Sequence, residues 1–206
     1  MATTEPADPR QPVLAGAYDC IARSGLGKVT LDDVAKASGV SRATIYRLFP
    51  GGRDQLLRET VGWEMNRFFA ALADAVADEP DLPARLEAAL TYAHRAVRDH
   101  AVLQKTLATE PGALLPLMTV EQHRVVRYIR DYLRPLLATE AAAGRLRAGV
   151  DVDHAADYLA RVGLSLIGSP GRWDLEDPAA VRTLVRTELL GGILRPDLWP
   201  PEPPVE

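Results

Sequence analysis

The sequence predicts an all-α fold, in which an N-terminal three-helix domain with a helix-turn-helix precedes a larger helical body, about nine helices together. Three observations carry this. Ala, Leu and Arg dominate the 206 residues, all good helix formers, while aromatics make up 6%. Apolar residues recur at steps of three and four, the period of a helix with one buried face. Gly and Pro cluster between these stretches, and no stretch reads convincingly as a strand.

The elements follow in order. Residues 1–11, rich in Pro, Thr and Asp, read as a loose arm. Val13, Leu14, Ala17, Ile21 and Ala22 mark a first helix, ended by Gly25 and Gly27. Cys20 lies in that stripe, where a small core residue fits better than a redox sensor. Thr30 caps a second helix with Leu31, Val34 and Ala35 inward, and Gly39 closes it after about two turns. Ser41 caps a third, with Ile45, Leu48 and Phe49 inward and Pro50-Gly51-Gly52 as its breaker. A long helix from Arg53 carries the stripe Leu57, Val61, Met65, Phe68, Leu72 and Val76, and ends by Glu79-Pro80.

Further helices are predicted over 83–99, 101–109, 117–143, 152–168 and 178–194. Breaks fall at Pro111-Gly112, Gly144, Gly149, Ser169-Pro170-Gly171 and Pro196. Pro135 predicts a kink or boundary within the longest C-terminal helix. The chain thus divides into an arm (1–11), a helix-turn-helix domain (12–55), a helical body (56–196) and a Pro-rich tail (197–206).

Composition narrows the function. No apolar run approaches the roughly 20 residues that span a bilayer. The start MATTEPADPRQP lacks the layout of a signal peptide, and a single cysteine fits a reducing compartment. The expectation is a cytoplasmic protein without a membrane partner. A net charge of −4 argues against a protein that coats nucleic acid. Charge is uneven, however. Arg10, Arg23, Lys28, Lys36, Arg42, Arg47, Arg53 and Arg58 face only Asp19, Asp32, Asp33 and Asp54 in the same stretch. A basic head on an acidic body suits a protein that reads DNA at one end.

Enzyme signatures are missing from the pattern. His94, His100, His123 and His154 lack the i, i+4 pairing of a helical metal site. There is no glycine-rich phosphate loop, no serine elbow and no partner for Cys20, and Glu110-Pro111-Gly112 reads as a helix break. No enzymatic activity, metal or cofactor is expected.

Two short helices joined by a turn at Gly39 have the geometry of a helix-turn-helix, whose second helix enters the major groove of double-stranded DNA. Ala35 is small where the helices approach, and Val40 plugs the space between them. Ser41, Arg42, Thr44 and Arg47 offer hydroxyl and guanidinium donors within two turns. Arginine reads guanine bidentately, and hydroxyls suit phosphates.

The stretch TLDDVAKASGVSRATIYRLFPGGRDQLL resembles the DNA-binding domain of the TetR family of bacterial regulators. Ala35, Gly39-Val40-Ser41, Tyr46 and Phe49 match, followed by a basic residue and Leu-Leu opening the fourth helix. The resemblance spans residues 12–60 well and the helical remainder loosely. It implies that Thr30 caps helix 2 and touches phosphate, that Ser41, Arg42, Thr44 and Arg47 line the recognition helix, and that Tyr46 meets the DNA backbone. Arg53 stands where the family usually has a phosphate-binding lysine, and Lys28 is a further phosphate candidate. Leu48 and a Pro50-Gly51-Gly52 loop one residue longer than usual depart from the pattern.

The resemblance also implies a body that binds a small-molecule effector and dimerises through its last two long helices, giving a homodimer on a palindromic operator. Interface candidates are Leu159, Val162, Gly163 and Leu166, then Val181, Leu184, Val185 and Ile193. Effector candidates are Trp63, Phe68, Tyr92, His94, Met118, His123 and Tyr128, an apolar and aromatic set that suits a hydrophobic ligand. Control by a protein partner, and activation in place of repression, stay open at this level.

Overall fold

The computed structural model describes residues 8–195 and 197, without the side chains of 113–115, 117, 118, 120 and 121. Its helices are α1 (Gln11–Ser24), α2 (Leu31–Ser38), α3 (Arg42–Leu48), α4 (Gly52–Ala75), α5 (Leu82–Asp99), α6 (Ala101–Thr109), α7 (Pro111–Ala142), α8 (Val152–Gly168) and α9 (Pro178–Thr183). A 3₁₀ turn, Leu26–Lys28, separates α1 from α2, and α9 continues into a π-helical turn, Leu184–Leu189. Among the described residues there is no strand, only an isolated antiparallel bridge between Leu146 and Leu194. No described helix is long and apolar enough to cross a membrane. The predicted all-α class holds.

The chain forms two compact units. The first comprises residues up to Ala70 together with Asp99–Gln122; the second comprises Ala71–Arg98 and the chain from His123 onward. In the first, Val13 and Ala17 of α1, Val34 of α2, Ile45 of α3 and Phe49 just beyond it are fully buried around Leu56 of α4. Full burial of an Ile or Phe side chain is worth about 1.5–3 kcal/mol each. That matters most for α3, because a seven-residue helix has little stability of its own.

Gly16, and not only a small residue on α2, lets α1 and α2 close on each other. A Cβ built on Gly16 would stand 3.0 Å from both the Cβ and the backbone nitrogen of Ser38. Cys20 is buried in the same core, as the sequence suggests. The first helix begins at Gln11, inside the predicted arm. Arg10 is the N-terminal flanking residue of α1, and its Nη2 donates to the Leu48 carbonyl (2.8 Å) and to Glu59 (3.1 Å). Its guanidinium carbon lies 4.6 Å from the centre of the Phe49 ring. On α4 the buried phenylalanine is Phe69, while Phe68 is half-buried and packs edge-to-face on it at 5.0 Å.

The second unit has its own core, in which Leu137 of α7, Ala156 and Leu159 of α8, Leu175, and Val185 and Leu190 at the C-terminal end meet. One prediction is corrected there. The predicted 178–194 helix is a short α9 followed by the π turn, in which the Leu190 amide reaches back five residues to Val185 at 2.9 Å. Pro135 lies inside α7 and marks no boundary of it; α7 starts at Pro111, since proline at a first helical position lacks no needed donor. Leu159, Val181, Leu184, Val185 and Ile193, expected at a subunit interface, are buried in this unit's own core. Val162, Gly163 and Leu166 keep partial exposure.

Replacing Gly16 by Ala is expected to lower the denaturation midpoint. Helix propensity alone would raise stability by about 1 kcal/mol, whereas overpacking against Ser38 costs about 1–3 kcal/mol. A stabilised Gly16→Ala protein in urea titration would contradict the close approach.

Candidate nucleic-acid interface

The turn between α2 and α3 is built from local chemistry. Thr30 and Asp33 cap α2 reciprocally: the Asp33 amide donates to Thr30 Oγ1 (3.2 Å) and the Thr30 amide to Asp33 Oδ2 (3.3 Å). The Thr30 hydroxyl also donates to that carboxylate and is the main reason that Asp33 titrates below the ordinary carboxylate range. At the other end, Ser38 donates its hydroxyl to the Val34 carbonyl at 2.7 Å and accepts from the Val40 amide at 3.3 Å. Gly39 stands at φ 69°, ψ 11°, the left-handed conformation a Cβ disfavours. Ser41 then caps α3 by accepting from the Thr44 amide (3.2 Å), and its own hydroxyl donates to Thr44 Oγ1 (3.0 Å).

These caps fix which face of α3 is outside. Ile45 turns fully inward, leaving Ser41, Arg42, Tyr46 and Arg47 exposed and Thr44 half-buried. Tyr46 is 45% exposed, with its ring under the Arg42 guanidinium at 5.7 Å. Arg42 Nη1 donates to both carboxylate oxygens of Asp32 on α2, at 3.0 and 3.1 Å. The Tyr46 hydroxyl first, and the Asp32 carboxylate second, push the Arg42 guanidinium further toward its charged form. Arg47 makes no hydrogen bond or ion pair with a described residue. The face can donate to acceptors in a groove and to phosphates beside it.

Of the other predicted DNA contacts, Lys28 is exposed at the end of the 3₁₀ turn and Thr30 is exposed at the α2 cap. Arg53 differs from expectation. Its Nε donates to the Val29 carbonyl (2.7 Å), and its Nη2 to the carbonyls of Leu26 (2.8 Å) and Gly27 (3.0 Å). It pins the backbone leading into Thr30, and those donors are engaged within the protein. Glu110 grips the same turn from the other side, accepting from the Gly27 amide. Arg10, Asp32 and Glu110 are the residues that periodicity missed, since each acts through a partner ten or more positions away.

The predicted effector residues fall in both units. In the first, Trp63 is half-buried, edge-on to Tyr18 at 6.5 Å with the Arg67 guanidinium 4.7 Å over its ring, and Phe68 is half-buried. In the second, Tyr92 and His94 are half-buried, while His123 and Tyr128 are exposed. The Met118 side chain lies outside the described residues. A solvent-open hollow of about 630 Å³ in the second unit is lined by Leu146, Arg147, Ala148, Arg195 and Asp197, none of them an effector candidate. Among the described residues no group of three His, Cys, Asp or Glu is placed to hold a metal.

Residues 13–60 match the family of bacterial regulatory proteins designated tetR. The chain is 26% identical over 157 residues to a Mycobacterium tuberculosis protein named an uncharacterized HTH-type transcriptional regulator, covering 76% of this chain and 73% of that one. It superposes on the TetR family repressor AlkX of Dietzia, implicated in biodegradation of n-alkanes, with a TM-score of 0.63 and 26% identity over 92% of this chain and 98% of that one. It shares the fold of SmeT, solved as a triclosan complex, with a TM-score of 0.59 and 21% identity over 96% and 99% of the two chains.

Thr30→Val is expected to remove about 1 kcal/mol of stability and to move the Asp33 carboxyl up toward its ordinary range in an NMR titration. Because the folded-state value is lowered, this stabilisation is present above the ordinary carboxylate range and is lost as pH falls through the lowered value. An unshifted Asp33 in the variant would contradict the capping box.

Proposed function

We propose that this chain, whose residues 13–60 match the tetR family of bacterial regulatory proteins, is a dimeric repressor released from a palindromic operator by a small, largely hydrophobic effector. One observation carries the reading: a short, capped helix whose apolar side is fully buried and whose other side presents Ser41, Arg42, Tyr46 and Arg47 to solvent. Guanidinium and hydroxyl donors on a rigid helix are the chemistry that reads base edges and phosphates. The family is one of regulators, not of enzymes.

In this proposal Arg42 and Arg47 read bases, while Ser41, Thr44, Tyr46, Thr30 and Lys28 meet the backbone. Arg53 acts indirectly, by holding the carbonyls of the turn before Thr30. Subunits pair through the face of α8 on which the exposed Tyr158 and the half-buried Val162 and Leu166 follow one another at four-residue steps. Two heads on two half-sites supply the area that one seven-residue helix lacks. The half-buried aromatics Trp63 and Phe68 on α4 are the foremost effector contacts. The connection of AlkX to n-alkanes, and of SmeT to triclosan, supports an apolar effector. Effector binding then shifts the population from operator-competent to incompetent dimers.

Selection of duplex DNA by the purified protein tests this. A palindrome bound by two chains, with affinity falling as salt rises, is expected. On that site Arg47→Ala should weaken binding by about tenfold and relax the preference at one base pair per half-site. Tyr46→Phe should instead weaken operator and random DNA alike, since a backbone contact carries no base information. No enriched sequence at low salt would overturn the proposal.

A further inference from the structure

We propose that Asp32 is a specificity-determining positioning residue: it holds Arg42 by Nη1 so that the Nε–Nη2 edge of the guanidinium is presented to a guanine in each half-site. The inference rests on reading α3 as the recognition helix.

Three features of the geometry point to it. Asp32 stands in the first turn of α2, yet its carboxylate does not serve that helix's cap, which Thr30 and Asp33 complete between themselves. It reaches across ten residues, with both oxygens accepting from the single nitrogen Nη1 of Arg42. The opposite edge of the guanidinium, Nε with Nη2, is the side-on fork that matches guanine O6 and N7, and it takes no part in the ion pair. Tyr46 completes the mount, its ring 5.7 Å from the guanidinium carbon. A long arginine side chain is thereby biased toward one orientation before DNA arrives, which lowers the ordering cost of each base contact.

A carboxylate in the first turn of α2 favours that helix modestly through its dipole, but this does not explain why Asp32 reaches to Arg42. Both partners are more than half exposed, and ion pairs that exposed contribute little to stability. A carboxylate on a surface that approaches phosphates weakens binding to every duplex. Sharpening what the neighbouring arginine reads is the role its reach to Arg42 supports. Arg47, one turn on, has no such mount.

The test is bind-and-sequence analysis of a randomised duplex library with wild type, Asp32→Ala, Asp32→Glu and Arg42→Ala, each checked for an unchanged circular dichroism spectrum. Wild type should prefer guanine at one position per half-site by about tenfold. Asp32→Ala should bring that preference toward parity while leaving the other positions unaltered, and the position should be the one that Arg42→Ala flattens. Asp32→Glu, which restores a carboxylate, should recover part of it. If Asp32→Ala instead raises affinity for all duplexes by one common factor with base preferences intact, Asp32 is only a repulsive charge and the inference falls. A wild type that enriches no site would overturn the recognition-helix reading on which it rests, a distinct failure from an enriched site indifferent to Asp32.

Discussion

Everything at the DNA-reading end depends on the burial of Ile45 and Phe49. α3 has seven residues, and a helix of that length is unstable in water whatever its sequence. It exists because Ile45 on its inner face and Phe49 at its end are both fully buried against α1, α2 and the start of α4. Around that anchor the other devices are small and local. Ser41 fixes where the helix begins, Gly39 fixes the angle at which the chain enters it, and Arg10 closes over Phe49 from the other side. The exposed donors are then in place without further cost, because the same rotation that buries Ile45 turns Arg42, Tyr46 and Arg47 outward.

Backbone pinning supports this arrangement from below. The turn between α1 and α2 is gripped on its amide side by Glu110 and on its carbonyl side by Arg53. Each satisfies groups that a turn leaves unpaired, and together they determine where Thr30 sits. Arg53 holds three carbonyls of that turn, and so fixes the backbone that leads into Thr30.

What the sequence made legible was local. The caps Thr30 and Ser41, the left-handed Gly39 and the inward pairing of Ile45 with Phe49 all depend on residues within a turn of each other, and all are found as expected. So are the extents of α6 and α8. What was not legible depends on distant partners. Arg10 looked like part of a loose arm because Leu48, Glu59 and Phe49 lie far along the chain. Gly16 looked like any helix residue because the close approach belongs to Ser38. Periodicity also says that a residue is buried, not against what. Leu159 and Val185 each follow an apolar stripe on their own helix, and both lie in the unit's own core, whereas Tyr158 is exposed. The C-terminal end was misread for a related reason: the apolar spacing from Val181 to Ile193 suits an α-helix, and the π turn is a backbone event that side-chain spacing does not record.

The most direct test of the central claim is dimethyl sulfate footprinting of the bound operator, which reports the N7 atoms of guanines in the major groove. If α3 lies in that groove in each half of a dimer, guanine N7 atoms should be protected in two clusters related by the operator's twofold axis, each cluster three or four base pairs long as an estimate from the reach of a short helix. Unprotected N7 atoms throughout, beneath a backbone that hydroxyl radicals show to be covered, would place the protein on phosphates alone and contradict the account.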